Sequence, residues 1–242
     1  MEHQTKPNLL KQIFASALPD FIMTLTGTVI GIVLTFGVTY CSDKNDKEEM
    51  ARKSVMMTLH NLDVSIRSME RVIDDMSHQD TIFHHVGRNG IDPASVSADT
   101  LGMFVAAMYS HNIRPIDTST QDVFSSNFEI WRYIEDPKVI GRIANCYSIL
   151  QKCGDEYERI EREKYNTFVD FYDSCDDTSR MSDAAMAAAL MKQSKVRRIM
   201  NDWSSEISIL REMLNSAEAL NEHNKAVLRI DQSELDDFGR LL

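Results

Sequence analysis

The sequence predicts an all-α protein: a single N-terminal transmembrane helix followed by a helical bundle-like soluble domain. Three observations predict it. Residues 21–41 contain no charge, a heptad of apolar residues starts at Val55, and the 242 residues include only 9 Gly and 5 Pro. Such scarcity of turn residues favours long helices over sheets. The expected organisation is an N-terminal flank (1–19), a transmembrane helix (20–42), a juxtamembrane heptad helix (43–76), a loop (77–98) and the remainder of the helical domain (99–242).

The uncharged stretch spans about 31 Å as a helix, close to the hydrocarbon thickness of a bilayer. Asp20 bounds it on one side and Asp43 and Lys44 on the other. It is longer than the apolar part of a signal peptide, and no Ala-x-Ala site follows. Gly27, Gly31, Thr35 and Thr39 recur every fourth residue, a spacing that lets two membrane helices approach closely. The lipid bilayer is therefore one expected partner. A second copy or another membrane protein is the other. Lys44, Lys47, Arg52 and Lys53 outnumber Lys6 and Lys11, which places the large C-terminal domain on the cytoplasmic side.

After the anchor, Val55, Leu59, Leu62, Ile66, Met69, Ile73 and Met76 follow alternating spacings of four and three. That is a heptad seam, and no strand reading accounts for it. Gly87, Gly90 and Pro93 then mark the loop. The next helix starts near Ser97 or Asp99, buries Leu101, Phe104, Val105 and Met108, and stops before Arg114-Pro115. Another starts at Ser119 and directs Phe124, Phe128, Trp131 and Ile134 to the core. Asp136-Pro137 opens a helix to about Asp173. Its run 156–164 is polar, with opposite charges spaced for an exposed face. Ser182 caps a last long helix through Trp203, Ile207, Leu210 and Leu214. Leu235, Phe238, Leu241 and Leu242 dock back on the core.

Composition narrows the function. Acidic residues number 37 against 26 basic, a net charge of −11. Such a surface repels phosphate backbones, so no nucleic-acid partner is expected. Cys41 sits at the membrane edge, leaving Cys146, Cys153 and Cys175, an odd number and no disulfide framework. No phosphate-binding loop, dinucleotide fingerprint or nucleophile elbow occurs, and no cofactor is implied. The candidate chemical site is His78, His84 and His85, with Asp80 and Asp92 nearby, because imidazole and carboxylate bind zinc.

Residues 31–36 (Gly-Ile-Val-Leu-Thr-Phe), the charged stretch 45–49, and Leu59, Asn61, Leu62 and Asp63 together resemble uncharacterised single-pass membrane proteins of Bacteroidota-type bacteria. The resemblance covers about the first 65 residues. It departs at Cys41-Ser42-Asp43, where those proteins often carry an Asn-Trp pair. It implies a bacterial inner-membrane location and carries over no functional residue. The expected function is a non-enzymatic, membrane-anchored helical scaffold or accessory subunit of a membrane-associated complex. The alternatives are a signal-relay or sensory membrane protein and a metal-dependent enzyme using the histidines.

Overall fold

The computed structural model describes residues 44–88, 95–112, 121, 124–125, 131–134, 136–175 and 181–240. Six helices are described: α1 (Lys44–Arg88), α2 (Ala98–Tyr109), α3 (Pro137–Ser174), α4 (Asp183–Lys192), α5 (Ser194–Leu228) and α6 (Gln232–Gly239). The long helices α1, α3 and α5 form the body, with α5 packed on both α3 and α1. The short pair α2 and α4 pack on one another, and α6 lies on α1.

Local sequence explains most boundaries. Ser97, Asp136, Ser182 and Asp231 each accept a hydrogen bond from a first-turn N–H of α2, α3, α4 and α6. Such caps contribute about 1 kcal/mol each. Pro137 occupies the first turn of α3, where its missing N–H costs nothing. Arg229 ends α5 in the left-handed region (φ 52°, ψ 43°), where a non-glycine residue loses about 1–2 kcal/mol.

Residues 20–42, with Gly27, Gly31, Thr35 and Thr39, lie outside the described residues. Among the described residues no helix is long and apolar enough to cross a membrane. The fold class is corrected to an all-α bundle of six described helices. Its long helices each bury one apolar stripe and carry charge on the opposite face, which is incompatible with lipid on all sides. Among the described residues no helix supplies the span on which the membrane-anchored function, the sensory alternative, the bilayer and membrane-protein partners, the membrane-protein resemblance and the inner-membrane location rested, and these expectations are corrected accordingly.

The structure also differs from the expected loop at 77–98, because α1 continues to Arg88. Phe83, seven residues after Met76, and Val86, three further on, extend the buried stripe and are at most 1% exposed. Gly87 does not stop the helix, since propensity yields to that packing. Conversely, the expected last long helix divides at Gln193. Met191 and Val196 are both buried and five residues apart. An unbroken helix would turn them about 140° from each other. The extended residue at the break returns both to the core.

The seam residues Val55, Leu59, Leu62, Ile66, Met69, Ile73 and Met76 are all buried. Full burial of such side chains contributes about 1.5–3 kcal/mol each. They pack within one continuous core around Trp203, whose ring meets Phe83 edge-on at 5.3 Å between centroids. Phe83 in turn meets Phe104 of α2 at 5.9 Å. The Trp203 indole N–H donates to the Met76 carbonyl at 3.1 Å, so the largest core ring leaves no orphan donor.

Candidate functional site

The histidines do not converge. His78, His84 and His85 are all exposed and all on α1. His78 and His85 are two turns apart, about 10 Å, while His84 projects roughly 100° from His85. Among the described residues no group of three His, Cys, Asp or Glu side chains could hold a metal ion. The metal-dependent reading is therefore corrected as well.

His84 instead joins a small surface network. Its Nε2 lies 3.1 Å from Ser204 Oγ, and Ser204 donates to Asp80 at 2.8 Å. The composition suggests a serine, histidine and aspartate relay, but the geometry does not form one. Asp80 accepts the Ser204 hydroxyl directly, and the same His84 nitrogen faces both partners, 3.5 Å from Asp80. A relay needs histidine between serine and carboxylate, with one ring nitrogen for each. The network ties α1 to α5. The buried thiols are equally quiet. Burial pushes Cys146 up to about 12 and Cys153 to about 11, so neither offers a thiolate at neutral pH.

The feature that reaches solvent is a stripe of rings where α2 meets α3. Tyr109 ends α2 and remains 59% exposed. Its ring lies 5.4 Å from Phe168 and 6.1 Å from Tyr165, both on α3. His111 stacks on Tyr165 at 4.8 Å, and Tyr172 stacks on Phe168 at 6.1 Å and is 42% exposed. Tyr165, Phe168 and Tyr172 follow a three-then-four spacing, so they lie on one face of α3. Phe168 is buried and forms the floor.

A buried ion pair beneath the stripe fixes its geometry. Lys164 is 0% exposed and Glu161 1%, one turn apart on α3 and 2.8 Å from each other. The Lys164 ammonium also donates to Gln79 of α1 at 2.9 Å and to Ser110 at 3.1 Å. It sits 5.2 Å from the centre of the Trp203 ring. Burial lowers the Lys164 pKa, and Glu161 offsets part of that effect. Glu161 accepts from the Asn112 N–H at 3.4 Å, and the Tyr157 hydroxyl donates to the Asn112 carbonyl. The chain leaving α2 is thus held at Ser110 and Asn112. Tyr109 and His111 are carried against α3 as a result.

The charge spacing over 156–164 predicts an exposed face. For Glu156, Arg159 and Arg162 the structure agrees, and their pairs are near the surface. It differs at Glu161 and Lys164. The seam through Tyr157, Ile160 and Phe168 was legible, but a second one through Glu161, Tyr165, Phe168 and Tyr172 runs beside it. The signal for that seam was the ring spacing at 165, 168 and 172.

Comparison with known proteins gives no relatives: no family model matches the chain, and no curated protein or solved structure matches it significantly.

Proposed function

We propose that this protein is a helical recognition module that holds an arginine- or lysine-bearing segment of a partner protein on the ring stripe of α2 and α3. The observation that carries the reading is the stripe itself, with Tyr109 and Tyr172 exposed above the buried floor of Phe168. Exposed aromatic groups on a rigid helix pair lose little entropy on binding and are enriched among residues that dominate interfaces.

Charge selects the partner. The chain carries a net charge of −11. Asp173 adjoins Tyr172 on α3 and is exposed. A second copy of an acidic chain is repelled, whereas a basic segment is drawn in. Guanidinium and ammonium groups bind ring faces for about 0.5–2 kcal/mol each. The fold already contains this contact twice, with Lys164 over Trp203 and Lys47 over Tyr133.

The test is a titration of the full chain with an arginine-rich peptide, followed by NMR or tyrosine fluorescence. Saturable binding is expected. It should weaken about tenfold in Tyr109→Ala/Tyr172→Ala, the loss of roughly one or two cation–ring contacts. A glutamate-rich peptide of equal length should not bind. Unchanged binding in the double variant would overturn the assignment. So would self-association that the variant abolishes, because the occupant would then be a second copy.

A further inference from the structure

A cleft of about 540 Å³ opens at the far end of the bundle from the stripe's ion pair, between the start of α1, the turn before α3 and the junction of α5 with α6. Cavities of this size accommodate small organic ligands. Its apolar wall includes Val55, Ile134, Leu228 and Ile230. Val55 and Ile230 are buried side chains whose surfaces form the base of the cleft.

The charges on the wall, Glu48, Arg52, Asp136 and Arg229, are unequal in their engagement. Asp136 already accepts from the Lys138 N–H at 2.9 Å and from Arg142 at 3.3 Å. Those bonds hold its carboxyl below the usual carboxylate range, so it stays ionised and occupied. Arg52 is paired with Glu234 of α6 at 2.7 Å. Arg229 lines the same cleft, and among the described residues it has no ion-pair partner. It is also the residue with positive φ at the end of α5, a place that suits glycine. A favourable helix-end dipole explains a cation near this terminus, but Lys225 already supplies one in the last turn. A left-handed arginine beside a cleft with an apolar wall is an outlier of the kind from which a binding role is read.

We infer that this cleft binds a small amphipathic carboxylate. The guanidinium of Arg229 takes the head group, in the two-pronged geometry that suits a carboxylate, and Val55, Ile134 and Leu228 take the hydrocarbon. A neutral molecule of the same shape lacks the polar contact. An inorganic anion lacks the apolar one.

The experiment is calorimetric titration of the full chain with sodium octanoate, with octan-1-ol and sodium acetate as controls, on the native protein and on Arg229→Gly. Glycine fits the left-handed backbone, so the variant should fold with an unchanged or higher melting temperature. Octanoate should bind saturably to the native chain and at least tenfold more weakly to Arg229→Gly. Both controls should bind at least tenfold more weakly to the native chain. Equal octanoate affinity in the two proteins overturns the proposal. So does octanol binding as tightly as octanoate, or the absence of saturable octanoate binding at millimolar concentration.

Discussion

Among the described residues the bundle contains two buried lysine–carboxylate pairs, and they are built in opposite ways. Lys164 and Glu161 belong to the same helix, one turn apart, and are enclosed completely. Lys225 and Asp63 come from different helices, α5 and α1, and lie 2.7 Å apart at 6% and 10% side-chain exposure. At Lys164 burial wins, and the ammonium pKa falls. At Lys225 desolvation is again the largest single influence, but hydrogen bonds and charge from Asp63 and Glu222 together outweigh it, and the pKa rises. The lesson concerns where the specificity lies. A pair within one helix cannot choose which helices meet, so Lys164 and Glu161 act through their extra bonds to Gln79, Ser110 and Asn112. A pair between helices fixes register directly. Asp63 also receives Asn221 of α5 at 2.6 Å and Gln232 of α6 at 3.3 Å, so one carboxylate joins three helices.

Lys164→Met breaks the more enclosed pair and should have the largest effect. It leaves Glu161 buried without its cation, which costs about 3–5 kcal/mol in such sites. Urea denaturation should report that loss. Lys164→Met/Glu161→Gln removes both charges and should recover much of it, because the desolvation cost disappears with the pair. A single variant as stable as the native protein would show that water reaches Glu161 and that the two sites are not different in kind.

Lys225→Met sharpens the comparison from the other side. Asp63 loses its cation but keeps Asn221 and Gln232 and a small route to water. The expected destabilisation is about 1.5–3 kcal/mol, the range for a hydrogen bond to a charged group. It should be accompanied by easier opening of α6, since Lys225 also donates to Gln232 at 2.9 Å. Hydrogen exchange at α6 relative to α3 would measure that. If Lys225→Met proves costlier than Lys164→Met, register between helices matters more than enclosure.

The same contrast explains what the sequence revealed. Heptad spacing from Val55 to Met76 reports burial because apolar groups have few other places to go. The start of α3 was legible for a local reason, since Asp136 and Pro137 act on their own first turn. Glu161 and Lys164 were not legible as buried, because their spacing is also that of an exposed helical pair. What encloses them is Trp203, Gln79 and Ser110, between 39 and 85 residues from Lys164 in the chain. The Gln193 break was hidden for a similar reason: alanines and leucines around it favour helix, and only the positions of the neighbouring helices require an interruption. The histidines fall on a helix and not in the expected loop because Phe83 and Val86 pack in the core, and that burial outweighs the turn preference of Gly87. The ring stripe was partly legible, as spacing on α3. Its members Tyr109 and His111 were not, since their place depends on how α2 ends.

A smaller effect separates the α6 end of the molecule from the ring stripe. His60 of α1 lies beneath Gly239 of α6 so closely that a Cβ there would fall 2.2 Å from the imidazole. Its Nδ1 is buried and has no hydrogen-bond partner among the described residues. Burial lowers the His60 pKa, Arg67 lowers it further, and Asp63 and Asp236 oppose them without prevailing. The neutral ring is therefore the form that fits the folded state. The unfolded chain binds the proton more readily, so stability rises with pH across the window between the lowered pKa and the usual value near 6.5. It is level above that window and is lost as the solution is acidified through it. Urea midpoints measured from pH 7 to pH 5 should fall more in the native protein than in His60→Gln, which cannot take up a proton there. The loss should be concentrated at α6, where amide exchange should quicken before that of α3. Identical pH profiles for the two proteins would place the acid sensitivity elsewhere and leave Gly239 as a purely steric accommodation of the ring.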